Sequence, residues 1–154
     1  MATHHATVIW ERAGDAKFTD NRYSRGHRWE FDGGAVVPAS SSPAVVPLPL
    51  SDPEGVDPEE AFVASLSSCH MLWFLFYAAK GGFVVDSYND AAEGHMEKTA
   101  DGNQWMARVI LRPDVRFAGN PPDAAAMAEM HDKAHHACFI ANSVKTTITV
   151  EAPA

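Results

Sequence analysis

The chain has 154 residues, 46% of them hydrophobic and 21% charged, which is enough for one globular domain with a substantial core. Twelve basic and twenty acidic residues give a net charge of −8, which disfavours nucleic acid and anionic membrane surfaces as partners. No basic region followed by a long apolar run begins the chain, so we expect no secretory signal and a cytoplasmic location. Two cysteines in such a protein favour metal or redox chemistry over a disulfide framework.

The first third of the chain is predicted to form three strands and a loop. Ala6–Arg12 alternates in the manner of a strand, Tyr23–Asp32 forms a second strand, and Ala35–Pro38 a short third strand after a Gly-Gly turn. The segment Ala39–Val56 is a Pro- and Ser-rich loop. Loops of this length inside a compact domain are often functional.

The second predicted strand has one aromatic face, which carries Tyr23, Arg25, His27, Trp29 and Phe31. This face should point inward, so Arg25 is predicted to face the core and Arg28, on the opposite face, to face water. A buried arginine needs a partner, because an unpaired charge there would cost several kcal/mol. The alternative is an arginine that extends along the strand end toward solvent.

A long helix is predicted over Asp57–Gly82, the segment DPEEAFVASLSSCHMLWFLFYAAKGG. Asp57 can act as N-cap with Glu60 in a capping box, and the two terminal glycines can end the helix. Between Ala61 and Tyr77 there is no formal charge and no clear polar face, so we expect burial on all sides. A membrane span is the competing interpretation. A cluster of polar residues argues against it: Ser65, Ser67, Ser68 and His70.

The remaining chain alternates strands with one more helix. Strands are predicted at Phe83–Asn89, His95–Thr99, Trp105–Arg112, Val115–Phe117 and Val144–Val150. Asn120-Pro121-Pro122 should cap a second helix that runs to about Cys138, with Met127, Met130, Ala134 and Ala137 or Cys138 forming its apolar stripe. The expected class is therefore α+β, with antiparallel strands, a buried helix, strands, a helix and a strand.

Both cysteines are predicted to face the core, each on its own helix. A thiolate is the reactive form of cysteine, and a nearby arginine stabilises it. A second cysteine can close a sulfenic acid to a disulfide and so prevent over-oxidation. The competing signal is the H-x3-H spacing of His131 and His135, which could hold zinc. No glutamate follows His131 as in an H-E-x-x-H site, so a solvated histidine face is the simpler interpretation and no metal is expected.

Two segments carry a resemblance to a known family. DPEEAFVASLSSCHMLWFL resembles the first-cysteine motif of the OsmC/Ohr family, the osmotically inducible and organic-hydroperoxide-resistance proteins. HHACFIANSVKTTITVE resembles the second-cysteine motif, although Phe139 stands where many members have proline. The order of elements matches along nearly all the chain. SSCHMLWFL is more similar to the OsmC-like branch than to a typical Ohr protein.

This resemblance implies a fold and a site. Antiparallel sheets would wrap around a long buried central helix in an intertwined homodimer made of single OsmC-like domains. Cys69 would be the peroxidatic nucleophile, Cys138 the resolving thiol, and Glu59 the carboxylate that holds the catalytic arginine. Arg22, Arg25 and Arg28 all lie near the position of that arginine, and the strand-face argument selects Arg25.

The implied activity is a thiol-dependent peroxidase in oxidative-stress defence, without a cofactor. Cys69 would reduce organic hydroperoxides or hydrogen peroxide, a Cys69–Cys138 disulfide would follow, and an external dithiol such as a lipoylated protein would reset it. Two other classes stay open: a non-enzymatic pocket protein for a small apolar ligand, and a hot-dog-like acyl-thioester enzyme.

The positions of Glu59 and Cys69 lead to a further expectation. Ten residues of one helix separate them, which is about 15 Å along its axis. A glutamate side chain cannot cover that distance. If Glu59 serves the Cys69 site, it should therefore come from a second chain, in a homodimer with its active sites at the subunit interface.

Overall fold

A computed structural model describes residues 1–151 and 153. They form two compact units, Met1–Ala61 and the described residues from Phe62 onward. The first unit contains three strands: β1 (Ala6–Ile9), β2 (His27–Phe31) and β3 (Val36–Ala39). Helix α1 (Pro58–Lys80) begins there and continues into the second unit. The second unit adds, in chain order, β4 (Val84–Asp90), β5 (Glu93–Lys98), β6 (Gln104–Leu111), β7 (Pro113–Ala118), α2 (Ala124–Ala137), a short 3₁₀ helix (Ala141–Ser143) and β8 (Thr147–Val150).

The first unit is an antiparallel sheet in the order β1-β2-β3, in which Trp29 pairs with Val8 on one side and with Val37 on the other. The strand predicted from Tyr23 begins only at His27. Its first residues leave the sheet because the Arg25 N–H donates to the Leu50 carbonyl of the long loop at 2.8 Å. At Arg25 a backbone hydrogen bond to the loop therefore takes the place of one to a neighbouring strand.

The two faces of β2 agree with the prediction at Arg28 and disagree at Phe31. Arg28 is exposed, and its Nε donates to Glu30 Oε1 at 2.7 Å. Phe31 was expected to point inward, yet 39% of it is exposed. This residue ends the strand and enters a turn, where the N–H of Gly34, at φ +85°, donates to the Phe31 carbonyl. Alternation no longer controls burial beyond a strand end.

Helix α1 has the predicted caps. The Glu60 N–H donates to Asp57 Oδ1 at 2.7 Å, and the Asp57 N–H donates to Glu60 Oε2 at 3.2 Å, which is a reciprocal capping box. At the other end Gly82 has φ +78°, and the Phe83 N–H reaches back to the Ala78 carbonyl. A left-handed residue of this kind ends a helix at little cost only when it is glycine.

Within a single chain, α1 is not buried on all sides, contrary to the prediction. Its buried residues recur every four positions and form one stripe: Leu66, His70, Phe74 and Ala78. On other sides Leu72 is 61% exposed and Phe76 is 47% exposed. The apolar sequence therefore covers more of the helix surface than one chain buries.

By length and composition alone, α1 is able to cross a membrane. Of the apolar stretch that meets these criteria, 22% is buried. The core helix of a globular protein meets the same criteria of length and composition. Here α1 contributes residues to both hydrophobic clusters of the second unit.

The second unit holds two small sheets. β4 pairs antiparallel with β7, whereas β6 lies between antiparallel β5 and parallel β8. The class is α+β as predicted, but the closing strand is parallel to its neighbour instead of antiparallel. Buried residues form two clusters, with Phe74, Ala78, Met130 and Ala134 in the first and Leu66, Val109 and Leu111 in the second.

Helix α2 begins later than predicted. Its N-cap is Asp123, whose Oδ1 accepts from the Ala126 N–H at 2.8 Å, and not the Asn120-Pro121-Pro122 segment. A side-chain acceptor three residues before a free N–H defines the start of a helix better than a preceding proline pair does. The apolar stripe is confirmed, since Met130, Ala134 and Cys138 are buried.

Candidate active site

The second unit brings the two cysteines together. Cys69 lies in the middle of α1, and Cys138 is the C-cap of α2. Both are free thiols, and Cys69 lies near enough to affect the pKa of Cys138. Cys69 is half-buried, whereas Cys138 is only 1% exposed. A reagent from solvent therefore has better access to Cys69.

The surroundings of Cys138 favour its protonated form. Burial, followed by the hydrogen bond with Cys69, raises the pKa of Cys138 to about 11. The Ala141 N–H donates to its Sγ at 3.3 Å and opposes part of that rise. At neutral pH Cys138 is therefore a thiol that can donate to the Cys69 sulfur.

A pair of histidines joins α1 to α2 beside the cysteines. His70 Nε2 lies 3.0 Å from His131 Nδ1, and the planes of the two rings differ by 11°. The Phe74 ring stacks on the His131 ring, with 4.4 Å between the ring centroids. His70 is 2% exposed. One of the two nitrogens must carry the proton and the other must accept, so the contact requires that at least one ring is neutral.

The pKa values of both rings are lowered. Burial is the main cause for His70, whose pKa falls to about 4, with smaller contributions from His131 and His135. Burial also lowers the pKa of His131, and the nearby Asp90 partly opposes it. Both rings are therefore neutral at physiological pH.

Asp90 connects α1 to the sheets of the second unit. Its Oδ2 accepts from Ser67 Oγ at 2.5 Å, and its Oδ1 accepts from the Arg112 N–H at 2.6 Å. Both carboxylate oxygens therefore have donors. These bonds hold the α1 turn before Cys69 against β4 and the start of β7.

Arg25 and Glu59, the other two predicted site residues, belong to the first unit. The Arg25 guanidinium donates to the Asn21 carbonyl at 3.0 Å, to Asn21 Oδ1 at 2.8 Å and to the Tyr23 carbonyl, and it lies 3.8 Å from the centre of the Tyr23 ring. Glu59 is half-buried in the first turn of α1. Within residues 1–61 no hydrogen bond or ion pair joins Arg25 to Glu59. Their roles stay predictions.

The histidines of α2 separate into two groups. His136 is exposed and approaches Asp132 of its own helix, as expected of a solvated face. His131, which was assigned to the same face, points instead to α1. In the part of the chain that the structure describes, no three His, Cys, Asp or Glu side chains converge on a possible metal position.

The His70–His131 pair was missed by the sequence argument, although a signal was present. His70 directly follows Cys69, and His131 precedes Cys138 by seven residues, which is about two helical turns. His131 therefore had to share the face of Cys138. Once the cysteines are placed in contact, the two histidines are brought close as well.

An open pocket of about 280 Å³ lies elsewhere in the second unit, between the end of α1 and α2. Its lining combines apolar residues, Phe83, Ala126 and Met130, with the polar or charged residues Tyr77, Lys80, Glu129 and Lys133. Neither cysteine lines it. Lys133 is neutralised by Glu129 at 2.6 Å.

The buried histidine predicts acid-sensitive stability. In the unfolded chain His70 binds a proton near pH 6.5, whereas in the folded chain it does so near pH 4, so the unfolded state holds more protons between these values. The free energy of unfolding should have its full value above pH 6.5 and should decrease as the pH drops toward 4. The His70 share of this loss is about 3 kcal/mol.

Urea unfolding at pH 7.5, 6.0, 5.0 and 4.5 measures this effect. His70→Gln keeps a polar group at the same place and cannot titrate, so its stability should change less over this range than that of wild type. His136→Gln removes an exposed histidine from α2 and should leave the wild-type slope. Equal slopes for wild type and His70→Gln would contradict the assignment.

Comparison with known proteins identifies the family and the fold. A family model described as OsmC-like protein matches residues 51–152. An OsmC-like protein of unknown function from Vibrio cholerae is 52% identical, with a TM-score of 0.96 and 99% of both chains covered. None of the curated proteins matches the chain.

More distant solved structures share the fold. An organic hydroperoxide resistance protein from Elizabethkingia anophelis superimposes with a TM-score of 0.68 at 16% identity, over 99% of this chain and 97% of that one. The organic hydroperoxide resistance protein OhrB of Bacillus subtilis gives 0.62 at 16% identity, with the same coverage. The family match, which covers both cysteines and most of the chain, settles the assignment: this chain belongs to the OsmC-like protein family.

Proposed function

We propose that this protein is a thiol-dependent peroxidase of oxidative-stress defence that reduces organic hydroperoxides, hydrogen peroxide or both. The observation that supports it most directly is the contact between a half-buried Cys69 and a fully buried, protonated Cys138. Two relatives of the same fold are named organic hydroperoxide resistance proteins. The family therefore supports a peroxide-related role, and the sulfur pair supports the chemistry.

The proposed reaction has two steps at sulfur. The Cys69 thiolate attacks the terminal oxygen of the hydroperoxide, an S–O bond forms, the O–O bond breaks, and the alcohol or water leaves with a proton. Cys138 then attacks the Cys69 sulfenic acid, a disulfide forms, and water leaves. An external dithiol, such as a lipoylated protein, reduces the disulfide by thiol exchange.

The difference between the sulfurs determines their order in this scheme. Cys69 is more accessible to solvent than the buried Cys138, so it meets the peroxide first. Cys138 is held as a thiol until the sulfenic acid forms at its neighbour. Oxidised Cys69 no longer carries the charge that the Cys138 proton stabilised, so deprotonation of Cys138 becomes easier at that moment.

The proposal extends to a homodimer in which Arg25 stabilises the Cys69 thiolate and Glu59 orients that arginine. Two observations support a second copy: the exposed apolar residues Leu72 and Phe76 of α1, and the position of Glu59 at the start of the helix that carries Cys69. Exposed apolar area on a helix is stabilised when another chain covers it. A glutamate about 15 Å along the same helix axis cannot serve the site of its own chain.

Thiol titration tests the proposed activity. One equivalent of hydroperoxide should remove two thiols per chain and leave an intrachain disulfide. Consumption in the presence of a dithiol should be compared for hydrogen peroxide and a bulky organic hydroperoxide side by side. A pocket protein or an acyl-thioester enzyme would keep both thiols, and that result would refute the peroxidase.

A further inference from the structure

Cys69 and Cys138 can form a bond only if α1 and α2 hold a defined relative position. A disulfide requires an S–S distance near 2.05 Å and a narrow range of Cα separations. Cys69 is fixed along α1, whereas Cys138 ends α2 and leads into the 3₁₀ helix, whose Ala141 N–H contacts its sulfur. A shift of α2 against α1 therefore moves one sulfur away from the other.

The side chains between the two helices show what resists such a shift. His131 and Cys138 are seven residues apart on α2, so they share a face about 10 Å apart. Ala134 lies between them and is fully buried. The hydrogen bond between His70 Nε2 and His131 Nδ1 joins α1 to α2. Phe74 and Ala134 provide apolar packing, which tolerates sliding better than a directional hydrogen bond does.

We propose that the His70–His131 hydrogen bond is a positioning contact that holds Cys138 against Cys69, so that the disulfide closes readily. Neither histidine reacts with the peroxide. Their contribution is to fix the position of α2 along α1. His70 is one residue from Cys69, and His131 is about two helical turns from Cys138. The inference rests on the proposed function for its biological meaning, but the contact itself can be measured without peroxide.

The measurement is the equilibrium of the protein dithiol with glutathione. Oxidised glutathione and two protein thiols give the Cys69–Cys138 disulfide and two reduced glutathione molecules, so atoms and electrons balance. The equilibrium constant reports how often the two sulfurs meet in bonding geometry. His70→Leu removes the hydrogen bond and leaves His131 without its partner, so this constant should fall about tenfold.

Conservative variants separate positioning from bulk stability. His70→Gln and His131→Asn place amide groups near Nε2 and Nδ1, and an amide can donate or accept, so both should stay close to the wild-type constant. Val109→Ala removes volume from the other hydrophobic cluster and destabilises the chain without touching this contact. It should leave the constant unchanged. If His70→Leu does not fold, His131→Leu with His131→Asn forms a second matched pair.

The outcomes are distinct. A tenfold loss in His70→Leu that His70→Gln restores supports the positioning role. Equal constants in all variants, or an equal loss in Val109→Ala, would overturn it. If wild type forms the disulfide with glutathione but consumes no peroxide, the proposed function fails and the positioning contact stands. If peroxide is consumed and His70→Leu matches wild type, only the positioning contact fails.

Discussion

Replacing Cys69 with serine is expected to reduce peroxide consumption to the rate measured without protein. Serine has nearly the same volume, so the half-buried position in α1 and the contact with Cys138 should survive. The hydroxyl is not ionised at neutral pH and cannot attack the peroxide oxygen at a useful rate. Dithiol-dependent consumption of an organic hydroperoxide measures the loss.

Cys138→Ser is the matched control, because it should block only the second step. This chain should react once with peroxide and form the Cys69 sulfenic acid. Without a resolving thiol it should then gain a second oxygen atom in excess peroxide. Intact-mass measurement distinguishes the sulfinic acid from the wild-type disulfide. Full turnover in Cys69→Ser would show that the reactive group is elsewhere.

Mixing two inactive variants is expected to restore activity if the site is shared between chains. Cys69→Ser chains keep Glu59, and Glu59→Ala chains keep Cys69, so a heterodimer of the two contains one site built from wild-type residues. Random exchange places half of the chains in heterodimers with one intact site of two, so recovery should reach about a quarter of wild-type activity. Activity measured before and after exchange tests this.

The control mixture combines Cys69→Ser with Cys138→Ser. These cysteines contact each other within one chain, so exchange should not regenerate a recycling site. Sedimentation establishes the assembly state, and a labelled chain establishes exchange. A fully active monomer that resists dilution, or no recovery despite exchange, would refute the shared site.

Local signals in the sequence predicted the elements well. The Asp57–Glu60 capping box and the Gly82 stop depend on residues within one turn of each other, and both formed as expected. The stripe of Met130, Ala134 and Cys138 followed from helical periodicity. Errors arose where a distant partner competed. The Leu50 carbonyl takes the Arg25 N–H from the predicted strand.

The resemblance of the two cysteine motifs indicated the family. Residue spacing along single elements was enough to predict the α+β class and the inward position of Cys138. The contact of Cys69 with Cys138, the pairing of His70 with His131 and the parallel closure of β8 on β6 were decided by tertiary structure. Periodicity indicates which face of a helix is apolar but not which residue of another element will meet it. Packing also decided that one chain buries a single stripe of α1. The apolar pattern of a helix does not indicate how many other elements will cover it.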